Sequence, residues 1–193
     1  MAKVNFKRPL FEFISIVVAV VLAMALTEWR QNQLNRELAE KSLQNIIAEI
    51  QDNRDDLAID SAKIAADLRF MKTWITDFED RSEKNDFSLN FDYSFLNRAA
   101  LDVAINNQSM TYIDFEINMA LAEIYNTQEF YSQKAPDVFD AMGELTTSTH
   151  DPESAEFLAK VKGFNFQLGL VMGSIRAYMV ETEQFLSTYN SEN

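Results

Sequence analysis

Cysteine is absent from the sequence, and histidine occurs once, at His150. The lack of cysteine excludes disulfides, thiolate metal sites and a cysteine nucleophile. A di-iron or zinc site in a helical protein takes several inward-facing histidines or Glu-x-x-His pairs, which one histidine cannot supply. A Ser-His-Asp triad would have to use His150, which we interpret as an exposed loop residue beside Asp151. We therefore expect no enzymatic activity and no metal or other cofactor.

Glycine and proline are scarce, with four glycines and three prolines in 193 residues. Glycine is absent before Gly143, and neither an Asn-Gly nor an Asp-Gly hairpin turn occurs, so Gly-rich phosphate loops and tight β-hairpins are excluded. Neither residue type lies between residues 10 and 81, so nothing there breaks a helix. These absences predict an all-α fold.

Basic residues are outnumbered by acidic ones, 17 to 30, which gives a net charge of -13. The charged residues before residue 27 are Lys3, Lys7, Arg8 and Glu12, a net charge of +2, so the rest of the chain has -15. Such a surface repels nucleic acid and anionic lipid head groups. We therefore expect no nucleic-acid partner and no second, electrostatic contact with a membrane.

A long apolar run lies near the N-terminus. Between Leu10 and Leu26 only Glu12 and Ser15 are polar. Extended to residue 28 as a helix, at about 1.5 Å per residue, the run is long enough to cross roughly 30 Å of hydrocarbon. The sequence thus predicts a cytoplasmic tail at 1–9, a transmembrane helix at 10–28 and an extracytoplasmic helical domain at 29–193, with the lipid bilayer as a partner.

A cleaved signal peptide is the alternative, because Ala23-Met24-Ala25 has the small-x-small form of a signal-peptidase site. The run is longer than a usual signal-peptide core, however. No helix-breaking residue separates it from residues 27–31, so the helix is expected to continue. An uncleaved anchor is therefore favoured.

Three residues mark the two membrane interfaces. Trp29 lies where interfacial aromatic residues are found, with Arg30 beside it. Glu12 lies about one turn inside the other boundary, where snorkelling lowers the cost of a charge. We interpret Glu12 as an interfacial carboxylate, with an oligomer contact or a proton-sensitive group as the alternative.

The basic residues of the short tail favour a cytoplasmic N-terminus, although Arg30, Arg36 and Lys41 follow soon after the span. In a Gram-negative bacterium this orientation predicts a single-pass inner-membrane protein with a periplasmic C-terminal domain.

Helical periodicity dominates the rest of the chain. A seven-residue apolar repeat comprises Leu43, Ile50, Leu57, Ile64, Met71 and Phe78, so one helix could extend from the membrane to about residue 81, with a bend expected at 51–56. Residues 84–92 are predicted to form an extended connector that tucks aromatic side chains under the domain. Helices are expected from about residue 92 or 94 to 106 and at 111–134, followed by a turn or two at 137–145.

Asp151-Pro152-Glu153 is typical of a helix start. The helix that follows has apolar residues at alternating steps of four and three, broken only by a threonine: Phe157, Val161, Phe164, Leu168, Val171, Ile175, Tyr178, Thr182, Phe185 and Tyr189. Its stripe is wide enough to pack against two neighbours. The sequence thus predicts an antiparallel bundle of about four helices, in which the heptad helix packs against this one.

Gly169, Gly173 and Ala177 are spaced four apart on the opposite side of the same helix. Glycine within a helix costs about 1 kcal/mol relative to alanine. One interpretation is that a solvent-exposed face tolerates them or that they allow a gentle bend. The other is close approach by a helix of a second subunit or of a membrane-protein partner, which small residues at this spacing permit.

The residues from Glu12 to Val18, those from Ala25 to Arg30, and the pair Glu49 and Asn53 together resemble a family of bacterial single-pass proteins, domain of unknown function 6090. A weaker similarity covers 99–125. The chain differs in lacking a glycine in the anchor and in having Thr-Glu at 27–28 where amides are usual. The resemblance implies a helical inner-membrane protein of unknown role, supplies no catalytic residues and marks Trp29 and Glu12.

We therefore expect a membrane-anchored helical scaffold or interaction protein that self-associates. The alternative is an extracytoplasmic sensor domain that binds a small ligand between its helices. A single span with a nine-residue tail leaves little to transmit a signal inward without a partner protein, which favours the scaffold.

Overall fold

The computed structural model of the chain describes residues 7–80, 87–146 and 154–192. In these ranges the chain forms five α-helices and one short 3-10 helix, and it contains no strand. The α-helices are α1 (Lys7–Glu79), α2 (Ala99–Asn106), α3 (Phe115–Ser132), α4 (Ala135–Thr146) and α5 (Ala155–Glu192), with the 3-10 helix Ser109–Tyr112 between α2 and α3. The prediction of an all-α chain is confirmed.

The first helix, α1, is 73 residues long and continues without interruption through the polar stretch 51–56. At about 1.5 Å per residue its length is roughly 110 Å. Its two parts have different surroundings, because every side chain from Phe11 to Leu34 is exposed, whereas buried residues recur from Ala39 onward. The helical domain therefore packs around the second part of α1 alone.

The core lies between α1 and α5, and α5 also packs against α3 and α4. Ion pairs of Lys162 with Glu79 and of Arg54 with Glu183 show that α5 runs antiparallel to α1. The two periodic stripes meet here: Ile50, Leu57 and Ile64 of α1 are completely buried, as are Val161, Phe164, Leu168 and Val171 of α5. Helical periodicity thus identified the core-facing sides of both helices.

The connector between α1 and α2 has neither helix nor strand from residue 87 to residue 98. Phe87, Leu89 and Phe91 are half-buried and alternate with exposed residues. The Phe87 ring lies 5.2 Å from that of Trp74, between centroids, and the Phe91 ring lies 5.6 Å from that of Phe164. The expected tucking of aromatic side chains is confirmed over 87–92, and residues 84–86 lie outside the described part of the chain.

Helix α2 begins at Ala99, so the expected start at residue 92 or 94 was wrong. The backbone N–H groups of Ser94 and Asn97 donate to side chains of α1 instead of entering a helix. Pro136 lies in the first turn of α4, where its missing N–H costs nothing. The predicted helix start at 151–153 and His150 lie outside the described residues. The Ser154 hydroxyl accepts the N–H of Phe157 at the start of α5.

Candidate functional site

The N-terminal part of α1 has an apolar surface that no described element covers. Its most apolar window of 18 residues has a mean hydropathy of 2.1, and none of that window is buried. Phe11, Ile16 and Leu26 expose 74%, 64% and 66% of their surface. By length and composition this segment is able to cross a membrane. An apolar surface of this size marks a membrane or partner contact.

The predicted interface residues lie at opposite ends of this segment. Glu12 and Trp29 are about 26 Å apart along the helix axis, so the structure does not bring them together. Arg30 and Trp29 are exposed, and Trp29 exposes 61% of its surface. Within the segment, the hydroxyl of Thr27 donates to the backbone carbonyl of Ala23. Its polar group is thus satisfied inside the helix, as a hydrocarbon environment requires.

A row of four polar side chains on α1 binds the backbone of the connector and of the first turn of α2, and we call it the polar row. Each accepts a hydrogen bond from a backbone N–H: Glu49 from Ala100 (2.8 Å), Asn53 from Asn97 (2.9 Å), Asp60 from Ser94 (2.7 Å) and Asp67 from Asn90. Three of the four side chains are buried, with exposed fractions below a tenth. Asn53 also donates to the carbonyl of Asn97 at 2.8 Å, as a neighbouring strand would.

The spacing of the polar row matches the connector. Seven residues of helix, from Asn53 to Asp60, rise about 10.5 Å. Three residues of extended chain, from Asn97 to Ser94, cover about 10 Å. From Asn53 to Asp67, one acceptor every seven residues of α1 therefore meets an N–H every third or fourth residue of a segment that runs antiparallel to it.

The polar row was not predicted from the sequence. Two of its residues, Glu49 and Asn53, were named only as part of the family resemblance. A direct indication was present, because Asn53, Asp60 and Asp67 each lie three residues after an apolar heptad position, where a second core residue is expected. Polar residues repeated at such positions indicate a buried polar contact.

Side chains of helix α3 also donate hydrogen bonds to the polar row and to the connector backbone that it binds. The Tyr125 hydroxyl donates to Glu49 at 2.7 Å, and the Gln128 amide donates to the Asn97 carbonyl at 2.7 Å. Burial, together with the Glu49 carboxylate, raises the pKa of Tyr125 above its ordinary value, and burial raises the pKa of Tyr93 to about 12. These phenols stay protonated at neutral pH and donate hydrogen bonds, Tyr125 to Glu49 and Tyr93 to the carbonyl of Tyr131.

Gly169, Gly173 and Ala177 lie together on the exposed side of α5. No atom lies within 4 Å of the position that a Cβ would take at either glycine, so neither is required by a contact within the described chain. This position agrees with both interpretations of these residues, a solvent-exposed face and an open surface for another helix.

A groove of about 630 Å³ lies between α3 and the C-terminal part of α5. Four carboxylates line it, together with aliphatic, aromatic and polar side chains: Asp114, Glu116, Glu123 and Glu181, with Ile117, Ala120, Gln184, Phe185, Thr188 and Tyr189. Among the described residues, no three His, Cys, Asp or Glu side chains are placed to hold a metal ion. Within the described part of the chain, this groove is a place where a small ligand could bind between helices, as the sensor alternative requires.

Comparisons were made with family models, with curated proteins and with solved structures. No family model matches the chain, and neither a curated protein nor a solved structure matches it.

Proposed function

We propose that the protein is a membrane-anchored helical scaffold or interaction protein without enzymatic activity. Its apolar segment crosses the bacterial inner membrane, with the N-terminus in the cytoplasm. The helices that follow form an antiparallel bundle in the periplasm. The observation that supports this most is the sharp change in burial along α1, where a fully exposed apolar segment gives way to a packed helix.

The separation along α1 between the apolar segment and the first contact with the helical domain agrees with the proposal. The contact nearest to the segment that the structure describes is a hydrogen bond of 2.7 Å between Asn35 and the Tyr112 hydroxyl. Asn35 lies nine residues beyond Leu26, or about 13 Å along the helix. This distance supports a position of the acidic domain beyond the head groups, which it would repel if they are anionic. Membership of the family of domain of unknown function 6090 is part of this proposal.

A membrane-retention experiment tests the anchor. We expect the full chain to stay in the membrane pellet after a carbonate wash and to keep residue 1 by intact mass. Val18→Arg places a charge in the middle of the segment, which costs about 2.5–3.5 kcal/mol on insertion scales, so a larger fraction should be washed off. Asn32→Arg, just outside the segment, is the matched control and should be retained. A mature N-terminus at Leu26 would contradict the anchor.

A ligand-binding sensor domain is the second candidate, and the groove between α3 and α5 is the observation that favours it. Its volume is within the range of small-molecule sites. A sensor would need convergent polar groups in an enclosed pocket, whereas this groove is open and four of the ten residues that line it are carboxylates. The scaffold therefore remains our preferred proposal.

A further inference from the structure

Helix α5 has a second apolar stripe, on the side that faces away from the core. Its residues follow alternating steps of four and three, and we call them the outer stripe: Ala159, Gly163, Phe166, Leu170, Gly173, Ala177 and Val180. All seven are exposed, and Phe166, Leu170 and Val180 expose 63%, 39% and 64% of their surface. The outer stripe has the spacing of a coiled-coil seam, and no described helix covers it.

The sizes of its residues are complementary to the same stripe in reverse. When two copies of α5 pair in antiparallel fashion about a point between Leu170 and Gly173, Leu170 of one copy faces Gly173 of the other. In the same register Phe166 faces Ala177 and Val180 faces Gly163. Every large side chain then meets a small one. A parallel pair would set Phe166 against itself and leave an empty layer at Gly173.

The charges at the two ends favour the same orientation. Lys160 and Lys162 flank the start of the outer stripe, and Glu181 and Glu183 flank its end. Antiparallel pairing brings opposite charges together at both ends, whereas parallel pairing brings like charges together. The contribution is modest, because Lys162 and Glu183 also form ion pairs within the chain. These charges therefore favour the antiparallel orientation more than they increase the affinity.

We propose that the outer stripe binds the outer stripe of a second copy of this chain, α5 against α5, antiparallel and two-fold symmetric. The proposal rests on the scaffold function, for which it names the partner as a copy whose anchor does not lie in the same flat bilayer. No atom lies within 4 Å of the absent Cβ at Gly163 and at Gly173, so the space for an incoming Val180 or Leu170 is free. The strip is about 32 Å long, which is small for a protein interface, so we expect a weak dimer.

Mass measurements on the full chain in mild detergent test the pairing. Light scattering over a concentration series should show a monomer that becomes a dimer as concentration rises. Gly173→Leu fills the space that Leu170 of the partner occupies, and it should raise the dimer dissociation constant at least about tenfold with helical content unchanged. Gly143→Leu, at an open helical glycine outside the outer stripe, is the matched control and should dimerise like the wild type.

An exchange of two residues makes the test specific to the antiparallel register. The double variant Leu170→Gly with Gly173→Leu again sets leucine against glycine in that layer, so it should recover most of the lost affinity. A parallel pair has one leucine-on-leucine layer and one glycine-on-glycine layer in both the wild type and the double variant, and Gly173→Leu alone would fill its empty layer instead of weakening it. A wild type that is monomeric at every concentration, or an exchange that does not recover dimerisation, overturns the proposal.

Cysteine cross-linking gives an independent result, because the chain has no cysteine of its own. Gly163→Cys and Val180→Cys should form a disulfide dimer when the two variants are mixed and little when each is alone. Cross-linking of each variant alone would show a parallel pair and overturn the proposal. Failure of the scaffold's membrane anchor would appear in the carbonate wash, and failure of the pairing would appear in these mass and cross-linking measurements.

Discussion

Among single residues, Asp67 combines burial with an incomplete set of hydrogen bonds. One carboxylate oxygen accepts the N–H of Asn90, and the other is buried without a hydrogen-bond partner. Burial raises the pKa of Asp67 above its ordinary value, and the Asn90 N–H opposes that shift in part. The folded chain therefore binds a proton at Asp67 more tightly than the unfolded chain does.

This pKa shift has a definite sign in stability. The contribution of Asp67 to folding is greatest below the ordinary aspartate pKa of about 3.9 and is lost as pH rises through the raised value. We expect Asp67→Asn to gain stability relative to the wild type between pH 4 and pH 7, measured by urea unfolding in detergent. Asp55→Asn, at an exposed aspartate of the same helix, is the control. The same difference at both pH values would contradict this account.

Asn53 is the residue of the polar row with the most specific contacts. Its amide oxygen accepts the N–H of Asn97, which has no other partner in the described network, whereas the Asn97 carbonyl also accepts from Gln128. We expect Asn53→Ala to cost about 1–3 kcal/mol, because it removes the hydrogen bonds of a buried amide to a partly buried backbone segment. Asn45→Ala, at an exposed asparagine of α1, should have little effect in the same urea unfolding experiment. Equal effects of the two variants would argue against the bond to Asn97.

At the scale of elements, α1 has one face in the core and one in solvent, and two isoleucines five residues apart compare them. Ile64 is completely buried, whereas Ile59 exposes 57% of its surface. Ile64→Asp should unfold the domain, because a buried unpaired charge costs several kcal/mol. Ile59→Asp should leave helical content and the urea midpoint nearly unchanged. An Ile64→Asp variant that folds but loses mass would mean that this face binds another subunit.

The helices and their core faces could be predicted from sequence because helical periodicity is local. Ile50 and Leu57 repeat every seven residues, and that spacing alone places them on one side of a helix. The start of α2 could not be predicted in this way. It depends on Asn53 and Asp60, which lie more than thirty residues earlier in the chain and bind the backbone that would otherwise begin the helix. Local propensity does not include such contacts.

The candidate functional site could likewise be predicted from the sequence only in part. The apolar segment and its ends at Glu12 and Trp29 follow from composition and length, which sequence contains in full. Only two members of the outer stripe, Gly173 and Ala177, were singled out from the sequence, where they were grouped with Gly169. Its large members, such as Phe166, were not singled out, because an exposed phenylalanine can be recognised only once the packing of its helix is known.

At the scale of the whole molecule, the antiparallel arrangement of α1 and α5 determines how far the outer stripe lies from the apolar segment. The ion pairs of Lys162 with Glu79 and of Arg54 with Glu183 place the centre of the outer stripe level with about residue 68 of α1. That level is roughly 60 Å along the helix from Trp29. The proposed two-fold axis would point the two apolar segments in opposite directions, with about 120 Å between them. Such a pair could not insert both segments into one flat bilayer. It would form only between copies whose segments lie in two stretches of membrane that face each other, and the length of α1 would set the distance between them.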